Sequence, residues 1–278
     1  MKRIHISIFI AIAVSAWSGA LVWPQDAHGD RITVSWSDPS RPGLLKVNLI
    51  QGGITVKTHS GNNVIVEGRS RGGNNRRPAP PDAGGLRRID GSASGLVVEE
   101  SNNVISVATQ SFSRFVDLDI QVPSKTSLNL KTMNGGNIVI EGVDGEIEVT
   151  NMNGGVTLNN ISGSVVAHSM NGKVVASLRQ ATANKPMAFT SMNGNIDVTL
   201  PPSLKANMKM RTDNGEIYSD FDIQIRPSNG PTTTDNRSRG GPFRVELDKN
   251  ILGAVNGGGP DFDLRTLNGN IYIRKGTQ

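Results

Sequence analysis

An all-β coil of short strands, a β-helix or solenoid, is the fold this sequence predicts, and three observations predict it. Apolar and polar residues alternate through most of the body, as in Val116-Asp117-Leu118-Asp119-Ile120-Gln121-Val122, which is the period of a half-buried strand. No long stretch with the helical period, apolar at i, i+3, i+4 and i+7, breaks that alternation. Asn-Gly also recurs at 134, 153, 171, 193, 214 and 268, with spacings of 19, 18, 22, 21 and 54, and a fixed period of this kind marks a repeat. The last gap hides an insertion.

Each unit reads as strand, turn, strand, turn. A second turn signal sits half a period from the marker at Asp144-Gly145 and Ser162-Gly163, and Pro201-Pro202 takes that part later. Aligned on Asn-Gly, the units keep residue character column by column. Four residues before the Asn stand Leu130, Val149, Ala167, Phe189, Met210 and Leu264, all apolar and assigned inward. Two before it stand Thr132, Asn151, Ser169, Ser191, Thr212 and Thr266, polar but inward by parity. Past the turn the core resumes with Ile138, Val156, Val174, Ile196, Ile217 and Ile271, then Ile140, Leu158, Ala176, Val198, Ser219 and Ile273. The first unit carries one extra residue in Gly135-Gly136-Asn137, read as a β-bulge.

Rungs of about 18 to 22 residues, each with two strands and two turns, fit this period. An antiparallel β meander or sandwich is the alternative, because Asn-Gly is the strongest type I′ hairpin signal. A meander, however, leaves a long apolar face with no helix to cover it, whereas a coil closes its inward columns on themselves. With rungs about 4.8 Å apart, the result is a rod on the order of 50 Å long. A narrow interior suits a chain with only 7 Phe, 3 Trp and 2 Tyr, and its 32 Gly supply the φ > 0 expected at frequent corners. Stacked Asn134, Asn153, Asn171, Asn193, Asn214 and Asn268 are expected to bond amide to amide along the axis, as a structural ladder rather than a ligand site.

The chain has no Cys, which excludes disulfide scaffolds, thiol redox chemistry, cysteine nucleophiles, thiolate metal sites and a lipidated-cysteine anchor. Lys2 and Arg3 precede an apolar run from Ile4 to Val22, and residues 1–27 read as a secretory signal peptide cleaved after Ala20 or Ala27. An uncleaved anchor in the inner membrane is the alternative. Two positive charges and Asp26 leave with the leader, so the exported part keeps about +4 of the formal +5. Residues 28–45 read as an opening strand and cap, and 46–278 as one repeat domain with two loop insertions, 69–88 and 227–242. The first holds Arg69, Arg71, Arg76, Arg77, Arg87 and Arg88, a candidate binding loop for anionic glycan or lipid whose plainer reading is a solvated loop.

Val116 to Pro123, Leu128 to Gly135 and Val198 to Pro201, with the steps Lys131-Thr132-Met133-Asn134-Gly135 and Arg211-Thr212-Asp213-Asn214-Gly215-Glu216-Ile217, resemble the bacterial β-strand-repeat family called putative adhesins. The resemblance covers about residues 45 to 278. It implies an exported, coiled β-strand domain of unestablished molecular function, and it brings no catalytic residues. No C-terminal translocator barrel accompanies the repeat here, so the resemblance gives no support for self-secretion through an outer membrane.

Chemistry is sparse. Asp117 with Asp119, Glu146 with Glu148 and Asp261 with Asp263 place carboxylate pairs on one side of a strand, as a glycosidase or a calcium site needs. Solvated strand faces are the plainer reading, and aromatic sugar platforms are scarce. His168 falls in an outward column and is expected to be exposed. Gly257-Gly258-Gly259-Pro260-Asp261 reads as a loop rather than a calcium repeat. One column is sharper: Met133, Met152, Met170, Met192, Asp213 and Leu267 immediately precede the corner residue. Parity points it outward as a candidate binding stripe, while a bend at the corner tucks the thioethers in, and the tucked arrangement is the expectation. The function these readings favour is a non-enzymatic, exported solenoid that presents a repetitive surface for binding or support in the cell envelope. Alternatives are a polysaccharide lyase or hydrolase on the same fold and a membrane-anchored periplasmic scaffold. No cofactor, metal or nucleic acid is expected; an envelope glycan, an anionic lipid or an envelope protein is the expected partner.

Overall fold

The computed structural model describes residues 30–71, 94–110, 114–181, 185–227, 232–235, 243–246 and 249–277, and every regular element among them is a strand. β1 (Asp30–Ser35) leads into β2 (Leu44–Gln51), β3 (Ile54–His59), β4 (Asn63–Ser70) and β5 (Leu96–Ser101). The repeats proper follow as β6 (Val104–Thr109), β7 (Val116–Pro123), β8 (Ser127–Asn134), β9 (Ile138–Glu141), β10 (Asp144–Asn153), β11 (Val156–Ser169) and β12 (Val174–Ala181). They continue through β13 (Met187–Asn193), β14 (Ile196–Leu200), β15 (Ala206–Asn214) and β16 (Ile217–Ser219). β17 (Gln224–Arg226), β18 (Thr232–Asp235), β19 (Phe243–Glu246) and β20 (Ile251–Val255) precede the last rung, β21 (Asp261–Asn268) and β22 (Ile271–Lys275).

Neighbouring rungs pair in parallel, so the fold is the solenoid and not the meander. One side stacks β6, β2, β8, β10, the second half of β11, β13, β21 and β15 in that order. The other stacks β7, β3, β9, the first half of β11, β12, β14, β22 and β16. Antiparallel strands close the poles. At one, β4 lies on β7, β1 on β4 and β5 on β6; at the other, β20 lies on β15 and β17 on β20. At about 4.8 Å per layer the longer side is about 48 Å.

The order along the axis is not the order along the chain. The first rung, β2–β3, sits between β6–β7 and β8–β9, and the last, β21–β22, is wedged between β13–β14 and β15–β16. The insertion hidden in the 54-residue gap is what lets the chain return. Part of the 227–242 segment, expected to be loop throughout, is strand: β18 pairs antiparallel with β19. Here the Thr232-Thr233-Thr234 run, rich in β-branched residues, prevails over the loop-like composition around it.

The inward columns are the core, except on the terminal rung, where nothing stacks on β16 and Ile217 is half-buried and Ser219 exposed. Leu130, Val149, Ala167, Phe189, Met210 and Leu264 are all at most 1% exposed. The polar column beside them is buried too, apart from half-buried Thr212 at the end, because each member donates to a glycine carbonyl one layer away. Thr132 Oγ1 reaches Gly52 O (3.0 Å), Ser169 Oγ Gly154 O (2.9 Å), Ser191 Oγ Gly172 O (2.9 Å), Thr266 Oγ1 Gly194 O (2.9 Å) and Thr212 Oγ1 Gly269 O (2.8 Å). These bonds satisfy polar groups that burial would otherwise penalise. All run the same way along the axis, and the last two place 268 between 193 and 214 independently of the strand pairing.

Asn151 is the exception that explains itself. Its rung stacks on the one with the extra residue: Asn134 pairs with Asn153 and Ile138 with Val156, so three residues face two across the corner, and Gly135 takes φ 84°. A side chain longer than Ser is placed there, and its Nδ2 donates to Gly136 O (3.0 Å) and Gly155 O (3.1 Å) while Oδ1 is buried without a partner. Asn151→Ser and deletion of Gly135 are each expected to destabilise by about 1 to 3 kcal/mol. Combined, they restore the regular corner and recover at least about 0.5 kcal/mol of the sum. Urea unfolding of the four proteins checks this, and strict additivity would refute the compensation.

The expectation that the Asn-Gly corners need φ > 0 holds at Gly135 (84°) and Gly269 (158°) and is corrected at the other four. None of the Asn-Gly asparagines has positive φ, and Gly154, Gly172, Gly194 and Gly215 do not either. These glycines are required by close approach instead, since a Cβ on Gly172 would lie 2.4 Å from Gly154 O. On the opposite edge φ is positive at Gly142 (79°) and Asn160 (57°). The turns read at Asp144-Gly145 and Ser162-Gly163 therefore fall two to three residues earlier, and Ser162-Gly163 is inside β11.

Candidate functional site: the Asn-Gly edge

The corner asparagines line one edge and bond amide to amide in a single direction. Nδ2 donates to Oδ1 from Asn153 to Asn134, Asn171 to Asn153 and Asn193 to Asn171 at 2.8 Å each, then from Asn268 to Asn193 at 2.7 Å and Asn214 to Asn268 at 2.8 Å. Asn268 thus bridges Asn193 and Asn214 instead of following Asn214. The ladder uses each interior amide's donor and acceptor on neighbouring rungs, which makes it a register lock.

Beside it runs the methionine column, and it points outward. Met133 is 44%, Met192 45% and Leu267 37% exposed, with Met152 and Met170 half-buried between them. The expected tucked corner is corrected at Met133 and Met192, which are exposed: Gly154, Gly172, Gly194, Gly269 and Gly215 each pack directly on a glycine of the neighbouring rung and leave no space inside those corners for a thioether. Asp213 ends the column at one pole, with its carboxyl held below the usual range first by its bond from Arg211, and with Lys249 also in reach at 3.4 Å. Phe115, 39% exposed, lies against Gly135 near the other end.

The arginine insertion divides. Arg69 bonds Glu67 (2.9 Å) and Asp119 (3.2 Å), and Arg71 grips Asp117 and donates to Gly135 O (2.8 Å). Both strap the capping strand β4 to the body while their side chains stay half exposed. Arg76, Arg77, Arg87 and Arg88 lie outside the described residues, as do the leader 1–27 and all of 72–93.

The carboxylate pairs are engaged in the same way. Asp117 and Asp119 meet Arg71 and Arg69, Glu146 meets Lys185, Glu148 accepts from Asn129 (2.8 Å), Asp263 meets Arg265 (2.6 Å) and Asp261 accepts from Asn207 (3.3 Å). Among the described residues no three His, Asp or Glu side chains cluster as metal ligands. His168 is half-buried rather than exposed, because its Nδ1 meets Thr190 Oγ1 at 2.7 Å on the adjacent rung. At the capped pole, bonds from Ser94 hold the Asp30 carboxyl below its usual range, and bonds from Ser37 do the same for Glu100.

One feature escaped the sequence reading. The chain's two tyrosines stack, Tyr218 on Tyr272, with ring centroids 5.4 Å apart and planes within 9°. Arg274 lies over the Tyr272 ring at 5.3 Å, and Tyr218 is 47% exposed at the open end of this side of the rod. Both follow their corner asparagine by four residues, and that shared offset was the available signal.

The parallel rungs, amide ladder and antiparallel caps define a single-chain β-solenoid. A family profile, Toastrack DUF4097, matches residues 53–240, and the chain belongs to this family. The segments that carried the adhesin resemblance, 116–123, 128–135 and 198–201, fall inside the match. The fold reaches further than the match, because β21–β22 is wedged between two rungs within it. Two solved structures are similar. A putative cell adhesion protein from Clostridium sporogenes shares 10% identity at a TM-score of 0.48, covering 89% of this chain and 100% of that one. A putative adhesin from Bacteroides fragilis shares 11% at 0.27, covering 88% and 97%. No curated protein matches.

Proposed function

We propose that this protein is an exported, non-enzymatic β-solenoid that binds or braces a component of the cell envelope along its repetitive outer surface. The observation that carries the reading is the engagement of every carboxylate pair the sequence nominates for catalysis, while the regular outer columns stay open: thioethers on one edge and a tyrosine stack near one pole. The Lys2-Arg3 leader and apolar run favour export. An envelope glycan, an anionic lipid or an envelope protein is the partner class such a surface suits.

The test is a binding screen of the exported protein against envelope glycans, anionic vesicles and envelope proteins, repeated with residues 72–88 deleted and with Tyr218→Ser. Saturable binding that one of these changes weakens is the expected result. Turnover of an acidic polysaccharide that Asp117→Asn abolishes would overturn it in favour of an enzyme. Intact mass of the exported chain decides between cleavage and anchoring, since a start at residue 21 or 28 excludes the anchor.

A further inference from the structure

Four thioethers stand in one outward column on four consecutive rungs. Met133, Met152, Met170 and Met192 each precede a ladder asparagine, and the register Asn134 to Asn153 to Asn171 to Asn193 is held by amide bonds of 2.8 Å. Backbone bonds along the same edge, Asn171 N to Met152 O (3.0 Å) and Asn193 N to Met170 O (2.8 Å), fix the methionine backbones directly. Any apolar contact would be served by Leu, as Leu267 shows one rung on, or by Val, as at the exposed Val166 two columns away. What methionine alone adds, four times over, is sulfur.

We infer that this column is a binding site for a soft monovalent cation, copper(I) or silver(I), held by thioethers of adjacent rungs. Neutral thioether sulfur selects such ions over zinc, magnesium and calcium. The spacing suits them. Rungs about 4.8 Å apart put neighbouring thioethers within reach of one ion, because each unbranched Met side chain can turn its sulfur toward it. The ladder holds the methionine backbones at that separation before the ion arrives, and only the flexible ends of the side chains adjust. Met152 and Met170, flanked by a thioether on each side, are the central ligands. His168 shares the outward face two residues before Met170, but its Nδ1 is committed to Thr190, so the site is thioether and not imidazole. The inference stands independently of the envelope-binding function proposed above.

Silver(I) is the probe, being redox-inert, with copper(I) under anaerobic reductant as the second. Titration of the whole exported chain is expected to show at least one silver(I) bound per chain and no zinc(II) at the column. Met152→Leu with Met170→Leu conserves volume and keeps the apo melting temperature close to that of the wild type, while silver(I) affinity falls by at least about tenfold. His168→Gln leaves affinity unchanged. Failure of the wild type to retain silver(I), equal affinity in the double-leucine variant, or loss of binding in His168→Gln alone would each overturn the site.

Discussion

Leu264→Ala is expected to destabilise the protein by about 2 to 5 kcal/mol, the range for emptying a buried leucine site. Leu264 is fully buried, paired with Phe189 on one side and Met210 on the other. The larger value of the variant is as a test of the stacking order. Double-mutant cycles, with Phe189→Leu and Met210→Ala as partners, should show coupling of at least about 0.5 kcal/mol for Leu264 with each. Phe189 and Met210 lie two layers apart, about 9.6 Å by strand spacing, and should be additive. Had the rungs stacked in chain order, Phe189 and Met210 would be neighbours and Leu264 would touch only one of them. Urea unfolding of the six variants and the wild type therefore distinguishes the two orders.

Gly172→Ala is expected to cost about 3 kcal/mol, the upper end for overpacking. A methyl there meets Gly154 O at 2.4 Å and Gly154 C at 2.5 Å, with Gly155 N at 2.7 Å. Those atoms are backbone, already engaged in the pairing of two rungs, and cannot turn aside as a side chain would. The effect should also propagate, since Gly172 O in turn accepts from Ser191 on the next rung (2.9 Å). Gly276→Ala is the control: its nearest neighbour, Leu200 O, is 3.5 Å away and its φ is not positive, so its midpoint should stay close to the wild type. A Gly172→Ala midpoint equal to that of the control would show that the corners are looser than the close glycine contacts require.

Both results turn on features that the sequence carried unequally. The Leu130-to-Leu264 column and the Thr132-to-Thr266 column were legible from parity alone, because a strand has a fixed period of two and one face must be dry. The need for glycine at the corner was legible as well, but its cause was not. Composition points to φ > 0, whereas the constraint at Gly154, Gly172, Gly194 and Gly215 is contact between glycines on successive rungs, which exists only once the rungs are stacked. The methionine column is similar. Parity already pointed it outward, and the expectation of a tucked corner assumed room that the glycine packing removes.

Arg69, Arg71 and the carboxylates they meet were each visible in the sequence, but their pairing was not. Asp117 and Arg71 are 46 residues apart, and only the antiparallel docking of β4 on β7 brings them together. The same holds for Tyr218 and Tyr272, whose shared offset places them in one column without saying that their rungs touch.

By itself, the sequence determined an all-β chain, strand by strand, with its inward columns, its corners and its amide ladder, because these follow from periods of two residues and about nineteen. Only the tertiary structure decided the order of the rungs. Every rung presents nearly the same edge, so local pattern does not rank one neighbour above another. β20 lies antiparallel on β15 and occupies that pole, and the last rung stands one layer in, with Asn268 between Asn193 and Asn214.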